Sequence, residues 1–372
     1  MITIKELHSK KEIKTFVKFP FSLYQNSKYW VPPIISQEAR TFNKNENPVF
    51  EDADARFFVA FKNKKIVGRI AAIINWLEVD GQGIKKMRFG WFDFIDDFDV
   101  SKTLLEKVYE IGKENNLEFV EGPVGFSNLD KVGVMIEGFE ELGTMITWYN
   151  HPYYVKHYEY HGFTVEKEYI ESWFSYDNID PNNFSRIQAI IKKRYKLKAK
   201  SFDRTTDILP YADEMFKVFE ASHAKLSSFV AITDKQKAYF KKKFLPFLNP
   251  EYVKFILDEH DKMVGFGIVT PSYAEALQKM NGKLFPFGFK HLLRAKKHSK
   301  SVTFYLIGIL PEYQNKGLTA IIFEEFYKVF TEKKIKRLIR GPELSDNTAI
   351  HQIWKHFNPE IHKRRCTFKK NL

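Results

Sequence analysis

Strand-like runs of apolar residues occupy Arg56–Phe61 and Ile66–Asn75, with a polar turn at Lys62–Lys65 between them. Short runs rich in β-branched and aromatic residues, joined by a tight polar turn, predict a β-hairpin. The same arrangement returns at Tyr252–Asp258 and Met263–Thr270, around a turn at Glu259–Lys262. Both return strands carry a matching triplet, Ile66-Val67-Gly68 and Met263-Val264-Gly265. After each hairpin and an intervening stretch comes a further apolar strand, Met87–Ile95 in one case and Val302–Leu310 in the other. The period then changes. Leu104, Leu105, Val108 and Ile111 form a stripe at helical spacing, and so do Ile321, Ile322, Phe326 and Val329, which predicts an amphipathic helix in each place. A short strand follows each helix, Phe119-Val120 and Arg337–Ile339, and both lead to one dipeptide, Gly122-Pro123 and Gly341-Pro342.

One order of elements occurring twice implies an internal duplication. The turn-forming cluster Asp177-Asn178 and Asp180-Pro181-Asn182-Asn183 places the expected boundary near Ile179–Phe184. The reading is therefore two tandem domains, 1–180 and 181–372, with Arg186–Leu248 supplying the opening strand and helices of the second. Hairpins alternating with helices give a mixed α/β class: in each copy a central mixed, largely antiparallel sheet flanked by helices.

The copies differ where the strand meets its helix. The second reads Gly308-Ile-Leu-Pro-Glu-Tyr-Gln-Asn-Lys-Gly-Leu-Thr319. Gly317 lets the loop turn tightly and a ligand approach its backbone. The free N–H groups at a helix start attract anions, and Lys316 adds positive charge beside them. The first copy reads Asp93-Phe-Ile-Asp-Asp-Phe-Asp-Val-Ser101. Asp93, Asp96, Asp97 and Asp99 would repel a phosphate there, so this copy is expected to have lost anion binding, with Asp99 or Ser101 capping the next helix.

Composition narrows the picture. The chain has 372 residues, 44% of them hydrophobic, which fits a globular protein. Its 36 Phe and 18 Tyr can fill cores or line grooves for long apolar ligands. The net charge of +13 favours an anionic partner: a nucleotide coenzyme, an acidic substrate, RNA or a membrane surface. No RRM, KH or double-stranded-RNA-binding motif accompanies that charge. The single cysteine, Cys366, rules out an intrachain disulfide and a Cys-based zinc site, and the 11 His show no metal-ligand spacing. No run reaches the length of a membrane-spanning helix, and Met1–Lys10 lacks an apolar signal core, so a cytoplasmic location is expected. Leu284–Lys300 mixes rings with a basic tail. It suits a membrane surface or an acyl chain, or a helix packing its rings inward.

The loop Gly308–Thr319 resembles the coenzyme A loop of the GCN5-related N-acetyltransferases, the GNAT superfamily, with Gln314, Gly317 and Thr319 at the signature positions. Thr319 replaces a smaller residue there. Further stretches, Gly122–Asn128, Glu137–Phe139, Tyr149–Tyr154 and Asn281–Gly288, resemble a bacterial family of tandem GNAT-like proteins. The resemblance implies acetyl-CoA or another acyl-CoA as cosubstrate. It would be held by Ile309, Gln314, Asn315, Lys316, Gly317, Leu318, Thr319 and Asn347, with strand Phe304–Ile309 offering N–H groups to the thioester oxygen. Trp354 falls where the family often has a proton-donating Tyr, and an indole is no acid in that range. Tyr158 and Glu312 are the positions left as catalytic candidates, with Glu275, Glu343 and His223 as further bases by position alone. The expected function is acyl-CoA-dependent acylation of a small-molecule amine. The alternatives are a non-catalytic GNAT-fold binding protein and an aminoacyl-tRNA-dependent tandem transferase.

Overall fold

A computed structural model describes residues 1–127, 129–175, 181–224 and 229–372. Asn128 and the turn residues 177–180 of the expected boundary lie outside the described residues. The strands are β1 (Ile2–Glu6), β2 (Ala53–Lys62), β3 (Lys65–Asn75), β4 (Lys86–Phe94), β5 (Phe119–Gly122), β6 (Val134–Glu137), β7 (Thr164–Ser175), β8 (Lys198–Lys200), β9 (Val253–Leu257), β10 (Met263–Pro271), β11 (Ser301–Ile309), β12 (Arg337–Leu344) and β13 (Glu360–Asn371). The helices are α1 (Lys10–Leu23), α2 (Ile35–Thr41), α3 (Trp76–Val79), α4 (Phe98–Glu114), α5 (Tyr154–Tyr160), α6 (Pro181–Tyr195), α7 (Ala212–His223), α8 (Asp234–Phe244), α9 (Ala274–Met280), α10 (Gly288–His298), α11 (Leu318–Lys333) and α12 (Thr348–Trp354). Both sequence-predicted hairpins form, as β2–β3 and β9–β10.

The strands join in one sheet of order β1-β2-β3-β4-β5-β13-β7-β12-β11-β10-β9-β8, with β6 pairing β13 off this path. The order is palindromic in kind. β1 to β5 repeat as β8 to β12, and in each half a single parallel pair, β4–β5 or β11–β12, interrupts an antiparallel sheet. The final strands are exchanged. β7, from the first half of the chain, lies beside β12, whereas β13, from the second, lies beside β5. β7 and β13 pair with each other and close the seam.

Apolar faces on both sides of the sheet explain why its central strands are buried. α4 sets Val100, Leu104, Leu105 and Val108 on the first half. In the second half, α11 covers one face with Ile321, Ile322, Phe326 and Phe330, and α7 and α8 cover the other with Met215, Phe216, Phe219 and Phe240. The seam is polar. Buried Arg365 pairs with Glu171, and Lys363 lies 3.9 Å from the same carboxylate. Lys86 bridges Glu78 at 2.8 Å and Glu121 at 3.1 Å, and Arg88 reaches Glu78 at 2.6 Å. Buried charge is tolerated when paired in this way.

Candidate functional site: an open splay in the second half

β11 and β12 pair in parallel from Ser301↔Arg337 to Phe304↔Arg340 and then diverge. Two local features part them. On β11 the register against β10 passes from Val269↔Phe304 directly to Ile268↔Leu306, so Tyr305 is an extra, bulged residue. A bulge leaves its residue outside the ladder and turns neighbouring side chains the same way: Tyr305 and Leu306 both pack toward α7 and α8, while Phe304 and Ile307 pack toward α11. On β12 the parting point is Gly341-Pro342, and proline has no N–H to continue a ladder.

The matching dipeptide in the first half, Gly122-Pro123, also follows the end of the parallel pairing, at Arg88↔Glu121. There the gap is sealed. Val124 N–H donates to the Phe89 carbonyl at 2.8 Å, and a Cβ on Gly122 would sit 2.4 Å from that oxygen. On Gly341 a Cβ would be 3.7 Å from the nearest strand carbonyl, that of Phe304. One splay is closed and the other open.

β11 runs into a 3-10 turn at Pro311–Tyr313 and then the loop that starts α11. Asn315 and Gly317 both have positive φ, 59° and 79°. Gly317 is the N-cap, and no side chain caps the helix. The first-turn N–H groups of Gly317, Leu318 and Thr319 therefore have no place in the helix ladder. Those of Gln314 and Lys316 differ from expectation, since they donate to Pro311 and Tyr313 carbonyls within the loop. The Gln314 side chain braces the turn by donating to the Ile309 carbonyl at 3.1 Å. Lys316 is exposed, with its ammonium 5.2 Å from the centres of the Tyr195 and Tyr313 rings.

The open splay forms one wall of a cleft of about 1300 Å3, mouth included. Tyr305, Leu306 and Ile307 come from β11, Glu343 from the end of β12, Asn347 from the start of α12, and His223 from the end of α7. Lys86, Arg88, Lys131 and Tyr169 reach it from the first half. Gly125, Ser127 and Lys131, from the loop-rich stretch after Gly122, also line it. Burial pushes the Lys131 ammonium pKa down. Tyr305 places its hydroxyl in a buried spot with no hydrogen-bond partner among the described residues.

His223 is the titratable group here with a defined tautomer. Its Nδ1 lies 2.9 Å from the Phe219 carbonyl, which can only accept, and 2.8 Å from Ser222 Oγ. Nδ1 thus carries the proton of the neutral ring, and Nε2 is left as a lone pair. Burial lowers the pKa of the ring, so it is neutral near pH 7. Glu343 also faces the cleft but is engaged: Arg340 pairs with it and Trp354 Nε1 donates to it at 3.0 Å. Burial outweighs Arg340 and raises the pKa of its carboxyl. Trp354 itself is buried among Phe304, Phe323 and Phe357 and acts as a tether for Glu343. Asn347 caps α12, its side chain accepting from Ile350 N–H at 3.3 Å.

Three candidates lie elsewhere, among them Glu275, exposed in the first turn of α9. Tyr158 is buried in the first-half core, stacked on Phe368 at 4.4 Å; its place on the inner face of α5 removes it from the cleft. Glu312 is exposed on the 3-10 turn, outside the cleft lining. His223 could be found in the sequence only as a lone histidine, because its partners come from its own helix and its cleft from strands far along the chain.

Three of the four carboxylates in the acidic loop of the first half are engaged rather than bare. Asp93 pairs with Arg69 at 2.7 Å and accepts from Tyr24, Asp96 lies 2.9 Å from His157 Nε2, and Asp97 lies 2.6 Å from Lys62. The cap of α4 is Asp97, not Asp99 or Ser101, because its carboxylate reaches Asp99 N–H at 3.0 Å. Ser101 instead donates to the Phe98 carbonyl. The N–H groups that would meet a phosphate are thus already capped by a carboxylate. No group of metal-ligating side chains occurs among the described residues.

No protein-family model matches the sequence. It is 26% identical to protein YghO of Escherichia coli K12 over 99% of this chain and 95% of that one. It is 25% identical to a bacterial ceramide synthase of Caulobacter vibrioides over 82% of this chain and 79% of the relative. Among solved structures, a tandem GNAT protein from the clavulanic acid biosynthesis pathway superposes with a TM-score of 0.59 at 10% identity, covering 100% of this chain and 98% of the other. The chain has the tandem GNAT fold, as the loop resemblance implied.

Proposed function

We propose that the cleft of the second half performs acyl-CoA-dependent N-acyl transfer, with acetyl-CoA or another acyl-CoA as donor and a small-molecule amine as acceptor. The observation that carries this reading is the open splay at Tyr305, followed directly by a helix whose uncapped N-terminus starts on Gly317. The pyrophosphate would lie on the N–H groups of Gly317, Leu318 and Thr319, beside Asn315 and Lys316. The pantetheine arm would follow Ile309 back to the splay, next to Asn347. The unpaired bulge backbone at Tyr305 would then accept the oxyanion that forms on the thioester carbonyl.

His223 Nε2 takes a proton from the amine as its nitrogen attacks the carbonyl carbon. The C–N bond forms, the C–S bond breaks, and the coenzyme leaves as a thiol once that proton has been passed on. The amine, held beside Glu343 as its cation, first loses one proton to water; His223 takes the second during attack and passes it to the departing thiolate. Ceramide synthesis, the activity named for the Caulobacter relative, is itself amide formation at an amino group, which supports the amine class.

The test is calorimetric titration of the full chain with coenzyme A and acetyl-CoA, joined to thiol release from acetyl-CoA over a panel of amines. One site per chain and amine-dependent thiol release are expected. Two equivalent sites would overturn the asymmetry between the halves. No coenzyme affinity at millimolar concentration would make the chain a GNAT-fold binding protein of another ligand.

A further inference from the structure

The segment Leu284–Lys300 does not turn its rings inward. Phe285 is 73% exposed, Phe287 65% and Leu293 59%, and no residue of α10 is buried. Leu284, Leu292 and Ala295 hold the helix to the body through Phe247, Leu277 and Met280. On its outer side Leu293 is exposed, and Lys290, Arg294 and Lys297 run beside it at helical spacing, with Phe289 half-buried at the edge of the inner face. No acidic residue occurs between Glu275 and Glu312. Lys283, Lys290, Arg294 and Lys297 are exposed in the same segment as the rings, whereas Lys296 and Lys300 donate to the Pro246 and Lys333 carbonyls.

From this surface we infer a membrane-docking site: the loop Phe285–Phe287 inserts its rings into the headgroup region of an anionic bilayer, and the cations around α10 bind the lipid phosphates. Exposed aromatic rings ringed by unopposed cations match both properties of such an interface, an apolar layer beneath a negative surface. An acidic protein partner would match the charge alone. The docking surface itself does not depend on the acyltransferase reading.

The test is sedimentation of the full chain with vesicles of phosphatidylcholine containing phosphatidylglycerol, against vesicles of phosphatidylcholine alone. Binding to the anionic vesicles, weakened by salt, is expected. A basic residue near such a surface contributes about fivefold in affinity, so the triple variant Lys290→Gln/Arg294→Gln/Lys297→Gln should bind roughly 100-fold more weakly. Phe285→Ser/Phe287→Ser should weaken binding at least tenfold and leave the melting temperature unchanged, since both rings are in water. Failure to bind anionic vesicles, or binding that neither variant alters, overturns the proposal. So does self-association abolished by Phe285→Ser/Phe287→Ser without any vesicle binding, which would make the surface a contact between copies of the chain.

Discussion

Replacing Gly317 separates backbone strain from coenzyme binding. The residue sits at φ 79°, and a Cβ there would approach Ile191 Cδ1 to 3.3 Å and Cγ1 to 3.5 Å. A left-handed conformation costs an L residue about 1–2 kcal/mol, whereas the Ile191 contact is with the end of a flexible side chain and adds little. Gly317→Ala should therefore destabilise by about 1–2 kcal/mol, visible as a small fall in denaturation midpoint. Gly317→Asp bears the same strain and also sets a carboxylate before the first-turn N–H groups. If two charge-assisted hydrogen bonds to phosphate are lost, each worth about 1.5–3 kcal/mol, coenzyme A should bind roughly two to four powers of ten more weakly. Lys316→Ala should cost less than about tenfold, because an exposed ammonium acts as a screened charge. Calorimetry on the three variants, with stability measured in parallel, gives both quantities. If Gly317→Asp binds coenzyme A as well as Gly317→Ala does, the phosphates are not held at this loop.

Three further outcomes follow from the same geometry. His223→Ala should lower kcat by about 10²–10⁴-fold and remove the acid limb of the kcat/KM profile; that limb should lie below pH 6.5, since burial lowers the ring pKa. An unchanged profile would dismiss His223 as base. Trp354→Phe removes a donor from the buried Glu343 and should cost about 1–3 kcal/mol of stability; a denaturant midpoint equal to that of the parent would show that the tether is idle. Burial pushes the His161 and His362 rings down to about 4 from an ordinary 6.5. The unfolded chain binds those protons first, so stability should be intact above about pH 6.5 and decline as pH falls toward 4. A melting temperature flat across that range would refute neutral burial of these rings.

Much was legible because it was local. Strand and helix periods, the repeated hairpins and the turn at Gly317 depend on residues near one another in the chain, so the repeated order of elements and the glycine turn before α11 could be read directly. The Gly-Pro dipeptides could be read too, as repetition, although their role as parting points needed the pairing register. What tertiary structure decided depends on contacts between distant segments. β13, Glu360-Ile-His-Lys-Arg-Arg-Cys-Thr-Phe-Lys-Lys-Asn371, has a central place in the sheet although its sequence is basic and mostly polar. Alternation is present: Cys366 and Phe368 face the first-half core, while Lys363, Arg365 and Thr367 face the other way. Nothing local says that Glu171 and Glu121, carried by β7 and β5, will meet that second face. Backbone N–H and C=O groups pair with any strand, so the choice between a half's own last strand and its sibling's is made by side-chain complementarity across the seam. The same holds for the cleft. The sequence contains Tyr305, His223, Glu343 and Lys131, but the bulge, the open splay and the docking of the two halves bring them to one cavity.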